Sequence, residues 1–116
     1  MYEYKATLER IIDGDTIDVD IDMGLHIHVK ERIRLYGINT PETRTKDEEE
    51  KKKGLAAKQR LQELLEMANE EGFILRTVMD KAGKYGRILG TIIIGGMNVN
   101  KTLVQEGFAI EIKWGE

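Results

Sequence analysis

Between Ile17 and Leu35 the apolar residues keep to odd positions, and this alternation constrains the fold more tightly than any other feature of the chain. Ile17, Val19, Ile21 and Met23 lie on one side and Asp18, Asp20 and Asp22 on the other. Successive side chains of an extended backbone point to opposite faces, so the pattern predicts a strand buried on one face only. Beyond Gly24 the odd positions continue with Leu25, Ile27, Val29, Ile33 and Leu35, opposite His26, His28, Lys30, Arg32 and Arg34. Two strands joined as a hairpin follow. Tyr4 to Ile12 reads as an earlier strand, closed by the turn residues Asp13 and Gly14.

From Thr40 to Lys53 the pattern gives way to Pro41 and then three Glu followed by three Lys, which predicts a solvated loop. A helix comes next, with Leu55, Leu61, Leu64, Leu65 and Ala68 at helical spacing and Gly72 as its left-handed C-terminal residue. Phe73 to Met79 and Ile88 to Ile94 read as strands on either side of a Gly-containing turn. Asn98 caps a short helix through Val99, Leu103 and Val104, Gly107 stops it, and Phe108 to Lys113 is the last strand. The chain is therefore mainly β with helices, an α+β class. Strand and helix do not alternate regularly, so a five-stranded oligonucleotide-binding barrel suits it better than a βαβ fold. With 116 residues, 41% of them apolar, residues 1–116 support one domain around one core.

Composition excludes more than it selects. The chain has 18 Lys plus Arg against 21 Asp plus Glu, so any nucleic-acid site has to be a local feature. The absence of cysteine rules out a disulfide scaffold and a thiolate metal site, leaving oxygen and imidazole ligands. No apolar run approaches the length that spans a bilayer, and no membrane partner is expected. The start, Met-Tyr-Glu-Tyr-Lys, has no apolar signal region, so the expected location is cytoplasmic, with secretion after loss of a leader as the alternative.

Three short blocks carry residues that can do chemistry. In Ile12-Asp13-Gly14-Asp15-Thr16, two carboxylates flank a Gly between strands, although a bare Asp-Gly-Asp is also an ordinary hairpin turn. The stretch from Arg34 to Thr43 puts an Arg inside a strand and Asn39, Thr40 and Glu42 at its end, where barrel rims carry sites. Lys84-Tyr85-Gly86-Arg87 is a cationic turn opening the strand from Ile88. His26 and His28 share a strand face without an evident third ligand, and a solvated face is the simpler reading. Trp114 suits core packing or base stacking equally well.

Taken together, the three blocks and Val99 to Gly107 resemble the staphylococcal nuclease (thermonuclease) family in order and separation, over nearly the whole chain. The resemblance implies a calcium-dependent nuclease that hydrolyses phosphodiester bonds in DNA or RNA with low sequence specificity. It assigns Ca²⁺ to Asp15, Asn39 and the carbonyl of Thr40, with Asp13 in an outer shell. An all-oxygen, partly hydrated cage is suited to Ca²⁺. Glu42 would position or deprotonate the attacking water, Arg34 and Arg87 would stabilise the charged transition state, and Lys84 and Tyr85 would grip a neighbouring phosphate. A simple Arg34–Glu42 ion pair at the rim and a mere turn role for Asp13 are the bland alternatives.

Three departures from the family stand out. Asn39 replaces the usual Asp, which lowers the charge available to a cation. Lys113, Trp114 and Gly115 stand where the family lines its nucleotide pocket with aromatic residues. The sequence stops at Glu116, before the third helix of longer members, so the expected fold is a barrel of the staphylococcal nuclease type lacking that helix, with a homodimer as a way to cover the exposed barrel. The competing function is a barrel that binds single strands without cutting them.

Overall fold

A computed structural model describes residues 2–79 and 88–113. Its strands are β1 (Tyr2–Asp13), β2 (Thr16–Asp22), β3 (His28–Leu35), β4 (Ile38–Asn39), β5 (Phe73–Met79), β6 (Ile88–Ile94), β7 (Met97–Asn98) and β8 (Ile110–Glu111); the helices are α1 (Glu48–Leu65) and α2 (Val99–Gln105). Antiparallel pairing runs β3-β2-β1-β5-β6, and a parallel pairing of β3 with β6 closes the five strands into a mixed barrel. The α+β class and the five-stranded barrel expected from the alternation are both present.

In β2, β3 and β5 the odd positions supply the barrel interior. Ile17, Val19 and Ile21 of β2, Ile33 and Leu35 of β3, Leu75 of β5 and Ile92 of β6 are buried, joined by Leu61, Leu64 and Leu65 of α1 and Val99 and Leu103 of α2. Closure depends on Gly90, where a Cβ would meet Leu75 Cδ1 at 2.7 Å and Ile33 Cγ2 at 2.9 Å. Register shifts between Leu8 and Arg10 and between Ile11 and Asp13 bend β1, which pairs with both β2 and β5.

Four expectations need correction. First, the charged run is helical from Glu48, because the Asp47 side chain accepts from the backbone N–H groups of Glu49 (3.0 Å) and Glu50 (3.3 Å), and three Glu in the first turn complement the helix dipole. Second, α1 ends at Leu65; Gly72, at φ +90°, closes the turn from Asn69, and Leu55 is 48% exposed while Gly54 and Ala57 face inward. Third, β3 begins at His28, since Asp22 Oδ1 accepts from the Gly24 N–H and the Met23 N–H donates to the Ile27 carbonyl, drawing Leu25 and Ile27 into an exposed turn. Fourth, the last strand is only Ile110–Glu111, because the N–H groups of Phe108 and Ala109 both turn back to the Leu103 carbonyl at the end of α2. The Asn98 cap, the strands Phe73–Met79 and Ile88–Ile94, and the stop at Gly107 stand as expected. The Gly-containing turn before Ile88 lies outside the described residues.

Candidate active site

The β1–β2 turn, the end of β3 and the segment from β4 to Thr43 come together at one end of the barrel. Asp15 and Arg34 are each 8% exposed and Thr40 is 7% exposed. The carboxylate of Asp15 is doubly held: Oδ2 accepts from the Thr40 N–H at 3.0 Å, and Oδ1 accepts from the Thr16 hydroxyl at 3.1 Å. Arg34 Nη1 donates to the carbonyls of Asp15 (3.3 Å) and Leu35 (3.1 Å). Its Nη2 donates to Asn39 Oδ1 at 3.0 Å and lies 3.4 Å from Asp15 Oδ2. A buried guanidinium is tolerable only with its charge balanced and its donors used, and this arrangement meets both needs.

Asp13 is tied in separately, its carboxylate accepting from the Thr43 hydroxyl. The segment that leaves β4 is therefore pinned to the β1–β2 turn at Thr40 and again at Thr43. Glu42 sits between the two pins, is exposed, and makes no side-chain hydrogen bond or ion pair among the described residues. The rim ion pair with Arg34 is thus absent among those contacts, and Asp13 holds a side chain 30 positions away rather than its own turn. Lys84, Tyr85 and Arg87 lie outside the described residues, as does Trp114.

Two glycines, Gly54 outside the three blocks and Gly14 within the first, hold these groups in place. A Cβ on Gly54 would meet the Glu42 carbonyl oxygen at 2.6 Å and that of Pro41 at 2.8 Å, so the absence of a side chain lets α1 lie directly on the backbone carrying Glu42. Likewise a Cβ on Gly14 would meet Ala57 Cβ at 2.8 Å and Thr40 Oγ1 at 3.0 Å. The available signal was a Gly inside a run of good helix formers, a position that costs stability without a packing reason.

Among the described residues no three His, Asp or Glu side chains converge as a metal cluster. Two side-chain oxygens, Asp15 Oδ2 and Asn39 Oδ1, nevertheless share a positively charged nitrogen of Arg34. Thr40 Oγ1 is buried with no hydrogen-bond partner among the described residues. Hard, oxygen-only donors with one buried carboxylate fit a weakly held Ca²⁺ better than Zn²⁺. A cleft of about 490 Å³ adjoins the cluster, lined by Asn39, Thr40 and Pro41 on one side and Phe108 and Ile110 on another. Its size is in the range of small-molecule sites.

Away from this end, Arg32 donates to Asp18 from Nε (2.8 Å) and Nη2 (3.2 Å), and that hydrogen bonding holds the Asp18 carboxyl below its ordinary range. His28 Nδ1 lies 2.8 Å from Asp20 Oδ1, so this imidazole is paired on the barrel's outer face. Among the described residues, no helix is long and apolar enough to cross a membrane.

Residues 32–116 match the family model described as Staphylococcal nuclease homologue. Arg34, Asn39, Thr40 and Glu42 fall inside that stretch and Asp13 and Asp15 before it. The chain is 33% identical over 109 residues to Endonuclease YncB of Bacillus subtilis (strain 168), covering 90% of this chain and 46% of that protein. It is 32% identical over 109 residues to SPbeta prophage-derived endonuclease YokF of the same organism, covering 90% of this chain and 33% of YokF. Endonuclease YhcR, also of that organism, is 29% identical over 113 residues, covering 92% of this chain and 9% of YhcR. The chain thus spans less than half the length of these curated relatives.

Proposed function

Because the chain belongs to the staphylococcal nuclease homologue family, we propose that it hydrolyses phosphodiester bonds in DNA or RNA, using Ca²⁺ and with low sequence specificity. The observation that carries this reading is the cluster of buried Asp15, Arg34 and Thr40 with exposed Asn39 at its edge and Glu42 pinned, exposed, beside it. Cleavage pushes water onto phosphorus while negative charge builds on the phosphoryl oxygens, so a site needs a cation, donors aimed at those oxygens and a group to orient water. In the proposed assignment Asp15, Asn39 and the Thr40 carbonyl hold the cation, with Asp13 acting through water. Bound there, Ca²⁺ would supply charge stabilisation to the phosphoryl group. Glu42 orients the attacking water and takes its proton, and its exposure, with no side-chain partner among the described residues, suits that task. Arg34, held at one guanidinium edge by backbone carbonyls, keeps its positive Nη2 beside the proposed cation ligands, where its charge stabilises a phosphoryl group brought there. By resemblance alone, Arg87 joins it and Lys84 and Tyr85 hold the next phosphate along the strand.

The alternative is a barrel that binds single strands without cutting them, and Asn39 favours it, since an amide in place of a carboxylate weakens a calcium site. Incubating the protein with single-stranded DNA and with RNA, in Ca²⁺ and in excess chelator, separates the two. Calcium-dependent shortening of either strand is the expected result. Retention of full-length strand bound to protein under both conditions would favour the binding module.

A further inference from the structure

Arg34 is fixed at one edge and committed at the other. With Nη1 on the carbonyls of Asp15 and Leu35, Nη2 is left 3.0 Å from Asn39 Oδ1 and 3.4 Å from Asp15 Oδ2. The guanidinium is planar and permanently charged, so Nη2 cannot swing far while Nη1 keeps both carbonyls, and it cannot shed its proton to make room. Both Asp15 and Arg34 are 8% exposed, which limits the screening of any charge placed beside them. With an amide at position 39, Arg34 contacts the Asp15 carboxylate in this cluster and offsets its charge.

We propose that Arg34 is an internal counter-ion that occupies the oxygens of the cation site and holds down the affinity of the substrate-free protein for Ca²⁺. The inference rests on the assignment of Asp15 and Asn39 as cation ligands. It has two consequences of opposite sign. Without a cation, Arg34 stabilises the fold by compensating the buried carboxylate. With a cation, Arg34 opposes it, because two positive charges then crowd the same oxygens. A purely structural arginine would produce the first effect and not the second.

Calorimetric titration of Ca²⁺ into the wild type, Arg34→Gln and Arg34→Met, with thermal melts in chelator and in Ca²⁺, tests this directly. The expected result is a lower Tm in chelator for both variants, together with Ca²⁺ binding tighter by about tenfold and a larger calcium-induced rise in Tm. Equal or weaker Ca²⁺ binding by the folded variants overturns the inference. Should neither variant fold, the wild type decides by nuclear magnetic resonance. The Arg34 guanidinium and Asn39 amide signals should shift together as Ca²⁺ is added, and an unmoved Arg34 beside a shifting Asp15 overturns the inference. Asp15→Asn separates the two layers of the argument. If it abolishes binding while the Arg34 variants fail to tighten it, only the counter-ion falls; if Ca²⁺ binds none of the proteins, the cation assignment falls and the counter-ion with it.

Discussion

The backbone N–H of Thr40 donates to Asp15 Oδ2 at 3.0 Å, across 25 positions of sequence. This bond joins the segment carrying Asn39 and Glu42 to the turn carrying Asp13 and Asp15, and it is buried. Asp15→Ala strips the acceptor from that N–H and the charge partner from Arg34 at once. Breaking a buried ion pair from one side costs roughly 3–5 kcal/mol. A loss near the lower end of that range is expected by urea denaturation, with Asp15→Asn milder because its amide oxygen can still accept from Thr40. An Ala variant within about 1 kcal/mol of the wild type, no more than an ordinary hydrogen bond contributes, would show that the bond does not hold the segment.

Gly54 controls the approach of α1 to the backbone of Pro41 and Glu42. Gly54→Ala gains helix propensity yet sets a methyl against two carbonyl oxygens, so either the helix or the Glu42 segment must shift. Overpacking of this kind costs about 1–3 kcal/mol. The expected outcome is a net loss of stability and a fall in kcat larger than any rise in KM, because Glu42 moves while the rest of the cluster stays. Unchanged kcat with lowered stability would make the contact structural only.

What could be read in advance follows from the range of the interactions. The barrel strands were legible in the alternation from Ile17 to Leu35 and in the Phe73–Met79 and Ile88–Ile94 runs, since a buried face imposes period two locally. Strands β4, β7 and β8 have two residues each, too few to show a period, and their pairing comes from where the chain is brought by the rest of the fold. Glu48 to Lys53 has the charge density of a loop, and what makes it helical is the cap that Asp47 supplies. Asp15, Arg34, Asn39, Thr40 and Glu42 could be named from their blocks. Thr43 could not, as it acts through a contact with Asp13 30 positions away, and Gly54 leaves only the local signal of a glycine among helix formers.

Helices α1 and α2 are clamped by Arg60, whose Nε and Nη2 donate to the two oxygens of Glu106 at 2.7 and 2.9 Å. The hydrogen bonding from Arg60 holds the Glu106 carboxyl below its ordinary range. A carboxyl depressed in the folded state contributes stability that is present above its unfolded value and lost as pH falls through the folded one. Arg60→Met should therefore be less stable than the wild type at neutral pH, with the gap closing in acid below the ordinary carboxylate range and shrinking in high salt. Thermal melts over a pH series check this; a gap independent of pH would assign the loss to packing.

Asn39→Asp should raise Ca²⁺ affinity by restoring a second anionic oxygen beside Asp15. Two unit charges a few ångströms apart interact by about 4 kcal/mol at an effective dielectric of 20, most of it offset by repulsion and desolvation in the cation-free protein. A net gain of about tenfold in affinity is expected, with a slightly less stable cation-free fold. Equal or weaker binding by the Asp variant in a calorimetric titration would mean that Asn39 is not a ligand.

In the proposed function this cluster cuts phosphodiester bonds, with Glu42 handling the proton of the attacking water. Cleavage and binding of one labelled single-stranded DNA, measured side by side in Ca²⁺ for the wild type and Glu42→Gln, test it most directly. Because Glu42 is exposed, the variant should melt like the wild type and bind the strand as well, while cutting it slower by a factor of about 10² or more. A wild type that does not cut in Ca²⁺, or a folded Glu42→Gln that cuts at the same rate, would contradict it.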